Sequence, residues 1–65
     1  MACDRPARTV VKELRMAGFR RDRTVGSHSV WIAPGGYRVT VPDGHRVISA
    51  GVYRTIRAAI KEAGA

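Results

Sequence analysis

The sequence predicts a single small α+β domain: a helix, three antiparallel strands in a row, and a second helix. Three observations predict it. Apolar residues recur at helical spacing near both ends of the chain. The middle holds three strand-like segments, one of them, "YRVTV", alternating cleanly. Short Gly- and Pro-containing turns join those segments. At 65 residues the chain makes one domain, 1–65, with a small core.

Each element follows from its residues. Residues 1–5 carry no pattern and are expected to form a loose tail. Pro6 suits the first turn of a helix, where its missing N–H costs nothing. Ala7, Val10, Val11, Leu14 and Ala17 then share one helical face. Gly18 is a left-handed stop, and Phe19 can fold back onto Leu14, so the first helix runs from about Pro6 to Ala17. "FRRDRT" is a polar strand anchored by Phe19, and "VGS" is a turn. "HSVWIA" is a second strand, "PGG" a tight turn and "YRVTV" a third strand. Pro42 to Ser49 reads as a loop containing the turn dipeptide Asp43-Gly44. Ser49 is an N-cap, after which Val52, Ile56, Ala59, Ile60 and Ala63 fall on one face, with Gly64 closing the helix.

Each helix has one apolar stripe, so both are expected on one face of the sheet. The expected core is Val10, Leu14, Phe19, Val30, Ile32, Val39, Val41, Val52, Ile56 and Ile60. With Val30 and Ile32 inward, period two puts His28 on the same side, at the rim, and turns Trp31 towards the open face. Tyr37 is expected to edge the core, and Tyr53 to pack with a wet end. This element order is that of a double-stranded-RNA-binding domain, a fold that meets RNA mainly by shape and backbone. A fold alone does not give function.

Charge narrows the partners. Twelve Lys+Arg stand against five Asp+Glu, for a net +7, and ten of the twelve are arginine. Arginine forks onto phosphate with paired hydrogen bonds, so a polyanion is the expected partner. A plain solvated basic surface is the competing reading. The chain has no Asn and no Gln, the usual readers of adenine, which leans against a sequence-specific DNA reader. The lone Cys3 cannot form an internal disulfide, and two histidines match no structural zinc spacing. No metal or small-molecule cofactor is expected. No apolar run approaches a signal peptide or membrane span, so the expected compartment is the cytoplasm.

The stretch "RTVGSHSVW" concentrates chemistry. Gly26 allows a positive φ, and the amides of Gly26 and Ser27 can face a phosphate. Arg20, Arg21 and Arg23 precede the turn. Imidazole takes or gives a proton near neutrality. His28 could therefore deprotonate the 2′-hydroxyl of RNA for attack on the adjacent phosphorus, while arginines and turn amides stabilise the developing charge. That chemistry needs no metal, and DNA would be inert to it. Lys12, from the stripe Arg5, Arg8, Lys12 and Arg15, and Arg38 of the third strand complete the expected RNA-contacting set. Read from composition alone, a lone histidine at a strand start is more often structural than catalytic.

The pieces "KELRMAGF", "GSH" before "VW", "GYRVTVP" and "GVYRTIRAAIKEAG" occur in the order seen in HicA toxins. The chain resembles that family from about Thr9 to Gly64. The resemblance implies a double-stranded-RNA-binding-like fold and an RNA-cleaving toxin of a toxin–antitoxin pair. It implies a HicB antitoxin as the partner that covers the active site, and it carries the family's catalytic histidine onto His28. Two departures stand out. Ser29 occupies the place where many relatives have a second histidine. His45 lies three residues beyond Pro42, further than the loop histidine of many relatives. His45 is thus either a proton donor to the leaving oxygen or, the favoured reading, a loop residue. Trp31 is either an interface residue for antitoxin or RNA, or a packing residue beside Arg38 and Thr40. The alternatives to a nuclease are a non-catalytic RNA-binding module and a protein-interaction domain.

Overall fold

The computed structural model describes residues 4–64. Ala7, Val10 and Leu14 form the buried stripe of α1 (Ala7–Met16). The helix ends through Gly18, at φ +89°. The Phe19 amide donates to the Leu14 carbonyl at 2.9 Å and the Gly18 amide to Arg15 at 3.0 Å, the paired closure of a Schellman ending. Phe19 is thereby folded into the core. At the other end of the chain, the Ser49 hydroxyl accepts from the Val52 amide at 3.4 Å and caps α2 (Ala50–Gly64).

Between the helices, β2 (Arg20–Val25), β3 (His28–Ile32) and β4 (Arg38–Val41) form an antiparallel meander in the order β2-β3-β4. The α-β-β-β-α order is the one expected. Side chains from both helices join Trp31, Ala33 and Val41 in one core cluster, so both helices lie against the same face of the sheet.

A further pairing joins two segments that the sequence presents only as a tail and a loop. Here β1 (Arg5–Pro6) pairs antiparallel with β5 (Val47–Ile48), Arg5 opposite Ile48 and Pro6 opposite Val47. The Ala7 amide continues the ladder to the Arg46 carbonyl at 3.0 Å, and the Asp4 carboxylate accepts from the Ala50 amide at 3.2 Å. Arg5 is therefore held, and residues 1–3 of the expected tail, with Cys3, lie outside the described residues. Ile48, absent from the expected core, is buried within it.

The face of β3 is the opposite of the one expected. Trp31 is 0% exposed, Ser29 and Ala33 are buried beside it, and Val30 and Ile32 are half-exposed. The register explains why. Trp31 stands opposite Val39 and Ser29 opposite Val41, so these four share the inner face, while Ile32 faces Arg38 and Val30 faces Thr40. A one-residue change of parity moves every side chain of a strand across the sheet. Trp31 is thus a core residue without a surface to offer a partner, and His28, Val30 and Ile32 belong to the open face.

Two smaller corrections follow. Tyr37 is exposed instead of edging the core. On α2, Val52 is 37% exposed, and Tyr53 turns inward in its place. The Tyr53 hydroxyl donates to Glu13 Oε1 at 2.9 Å, and Arg57 reaches the same oxygen at 3.2 Å, which fixes the rotation of α2 against α1.

Candidate active site

The site lies at the end of the sheet where the β2–β3 turn meets the loop after β4. Gly26, at φ +60°, gives the turn its left-handed step. It delivers Ser27 and then His28 at the first position of β3. His28 is exposed, and its Nδ1 lies 3.3 Å from the Ser27 hydroxyl. On its other side that hydroxyl lies 3.2 Å from Nε2 of His45. The two imidazoles stand edge to face with ring centres 6.0 Å apart. His45 lies in the loop between β4 and β5, and the fold brings that loop to the serine.

Three neighbouring residues hold His45 there. Asp43 is the anchor, with a side chain only 4% exposed. Its carboxylate accepts from Ser29 Oγ at 2.7 Å, from the indole N–H of Trp31 at 3.1 Å and from Arg21 Nη2 at 3.1 Å. Burial alone would raise its pKa. The hydrogen bonds from Ser29, Trp31 and Arg21, with the Arg21 charge, outweigh burial and hold the carboxyl below its ordinary value. Gly44 is next, and its amide donates to the Ser27 carbonyl at 2.8 Å. The approach is so close that a Cβ on Gly44 would meet Ser27 Cα at 2.6 Å. His45 then turns back, its amide bonding to the Pro42 carbonyl at 3.2 Å.

The arginines divide between the two faces. A bulge between Arg21 and Arg23 sets them on opposite sides of the sheet. Arg21 pairs across from Trp31, stacks over its ring at 5.1 Å and binds Asp43. Arg15 of α1 covers the same ring at 5.3 Å. Arg23 stands opposite Val30 and Arg20 opposite Ile32, with Arg38 on the far side of Ile32. Arg20, Arg23 and Arg38 are therefore on the open face with His28, and all three are exposed. Lys12 is exposed on α1, which covers the inner face. Of the expected set, Arg23, Arg20 and Arg38 share the open face with His28, Arg20 and Arg38 at the Ile32 end of β3; Gly26 and Ser27 form the turn before His28, Arg21 packs on Trp31, and Lys12 lies on α1.

Ser29, the departure from the family pattern, points inward. Its hydroxyl lies 3.0 Å from Thr24 Oγ1 and donates to Asp43. The exposed cluster loses no group by that departure. Among the described residues, no three His, Cys, Asp or Glu gather as a metal ion would require.

Fold and site together define a small basic α-β-β-β-α domain carrying an exposed two-histidine cluster at one end of its sheet. A family model described as the HicA toxin of bacterial toxin–antitoxin matches residues 7–65. The chain belongs to the HicA family: it is a toxin of a toxin–antitoxin system, and an antitoxin is its implied partner. Comparison with curated proteins and with solved structures gave no match. Among the described residues, no helix is long and apolar enough to cross a membrane.

Proposed function

We propose that the protein is an endoribonuclease that cuts messenger RNA. His28 removes the proton of a ribose 2′-hydroxyl, and the resulting oxygen attacks the adjacent phosphorus. The observation that carries this reading is the placement of His28: exposed, at the end of an open sheet face that also presents Arg20, Arg23 and Arg38. Strand spacing then lets a single RNA strand lie along the face with its phosphates against the guanidinium groups. The half-exposed Val30 and Ile32 between them offer bases an apolar floor. The amides of Gly26 and Ser27 meet the phosphoryl oxygens on which charge develops. A HicB-like antitoxin would silence the reaction by covering this end of the sheet.

The test compares wild type with His28→Ala on RNA and on DNA of the same sequence. Wild type yields RNA fragments ending in a cyclic phosphate and leaves DNA whole. His28→Ala is slower by about 100-fold or more, the usual range for loss of a general base. His28 is exposed, so the variant keeps its melting temperature. Equal cleavage by both proteins, or binding of RNA without any cleavage by wild type, defeats the reading.

A further inference from the structure

We propose that His45 is the second catalytic residue of this site, the acid that protonates the leaving 5′-oxygen, and that the Ser27 hydroxyl couples it to His28. The proposal rests on the nuclease reading above and extends it.

The geometry carries it. The two rings stand 6.0 Å apart centre to centre, with the Ser27 hydroxyl within hydrogen-bond reach of both. Ser27 engages Nδ1 of His28 and Nε2 of His45. That leaves Nε2 of His28 and Nδ1 of His45 free to face a substrate. A serine hydroxyl has a single proton, so it donates to one ring and must accept from the other. With Nδ1–H of His28 donating to Ser27 and Ser27 donating to Nε2 of His45, the two rings hold complementary tautomers. His28 then presents a bare Nε2, which is a base, and His45 presents Nδ1–H, which is an acid.

The step balances in that arrangement. The 2′-oxygen forms a bond to phosphorus and its proton passes to Nε2 of His28. The bond from phosphorus to the 5′-oxygen breaks, and that oxygen takes the Nδ1 proton of His45. The Nδ1 proton of His28 moves to Ser27 as the Ser27 proton moves to Nε2 of His45. One proton has travelled from the 2′-oxygen to the 5′-oxygen, and the protein's charge is unchanged. The products are a 2′,3′-cyclic phosphate and a 5′-hydroxyl. Both rings are exposed, so exchange with water resets the tautomers.

The loop is built for this placement. Asp43 is fastened to three residues of β2 and β3, and Gly44 is pressed onto Ser27 where no other residue fits. His45 is the next residue, so its backbone is fixed relative to the serine.

The test uses an RNA linkage that wild type cuts, made with oxygen or with sulfur at the bridging 5′ position. A departing thiolate needs no proton, so an acid is dispensable on the sulfur linkage. His45→Gln is expected to slow the oxygen linkage by about 100-fold and the sulfur linkage by less than about threefold. His28→Ala is expected to slow both. Ser27→Ala is expected to slow the oxygen linkage and Ser27→Thr, which restores the hydroxyl, to recover it. Equal loss on both linkages for His45→Gln, or loss on neither, overturns the role of His45 and leaves that of His28 standing. Full speed in Ser27→Ala removes the coupling. Wild type that cuts neither linkage overturns the nuclease reading and this one together.

Discussion

A methyl group on Gly44 would stand 2.6 Å from Ser27 Cα and 2.8 Å from the Ser27 carbonyl oxygen. Both neighbours are backbone and cannot swing aside. Gly44→Ala must therefore push the His45 loop off the β2–β3 turn. The expected result is a loss of activity of at least about tenfold with a stability cost of about 1–3 kcal/mol, the usual range for overpacking; RNA cleavage and denaturant unfolding measured side by side check it. Asp43 acts on the same loop from inside. Asp43→Ala leaves the Trp31 N–H without its acceptor and is expected to cost about 1–3 kcal/mol. The folded-state pKa of Asp43 is depressed. Its contribution is thus present above the ordinary carboxylate value of about 3.9 and lost as pH falls below it. Tyr53 is the mirror case. Burial, then its bond to Glu13, raises its pKa. Its contribution is present below the ordinary value of about 10 and lost as pH rises past it. Stability followed against pH should fall at both ends, with Asp43→Ala flattening the acid limb and Tyr53→Phe the alkaline one.

At the scale of the elements, what could be read from the sequence was what lies close along the chain. The end of α1 needs only Leu14, Gly18 and Phe19, and the start of α2 only Ser49 and Val52. Gly18→Ala is expected to cost about 1–2 kcal/mol for its left-handed backbone. Pro34 Cγ, 3.0 Å from where the added methyl would sit, adds to that cost, and a melting curve measures the sum. The facing of β3 is legible, but not from the strand alone. In "HSVWIA" both alternating sets are apolar, so the strand by itself does not choose a face. The "PGG" turn does choose: closing a hairpin around it sets Ile32 opposite Arg38 and leaves Val39 for Trp31. Inward Val39 and Val41 therefore require an inward Trp31, and the larger buried area of the indole agrees. The expectation is that Trp31→Ala costs about 3–5 kcal/mol, enough to threaten folding in a domain of this size, while Val30→Ser costs far less. Comparable denaturation midpoints for the two variants would contradict the facing described. The meeting of Asp43 and His45 with the β2–β3 turn had no local signal. It depends on strands distant in sequence and on a close approach only visible once Gly44 is set against Ser27.

For the molecule as a whole, the +7 charge has a direction. Arg21 and Arg15 are turned to Trp31, and Arg57 to Glu13, so these serve packing as well as charge. Arg20, Arg23 and Arg38 have the open face of the sheet. RNA binding should weaken as salt rises, with the logarithmic slope losing about 0.7 for each phosphate contact removed from a single strand. Neutralising Arg20, Arg23 and Arg38 one at a time should each lower that slope. Lys12→Ala, on the helix side, should leave it unchanged. A titration series at several salt concentrations separates the two sets, and an equal effect from Lys12 would move the RNA to the helices.

The family's matched stretch starts at Ala7, yet Asp4, Arg5 and Pro6 grip the segment that leads from His45 into α2. Trimming the gene to the family boundary would unfasten that clasp. A preparation shortened in this way should be measured beside the intact one before a weak nuclease is blamed on its histidines, and a purification handle belongs on the far side of Gly64.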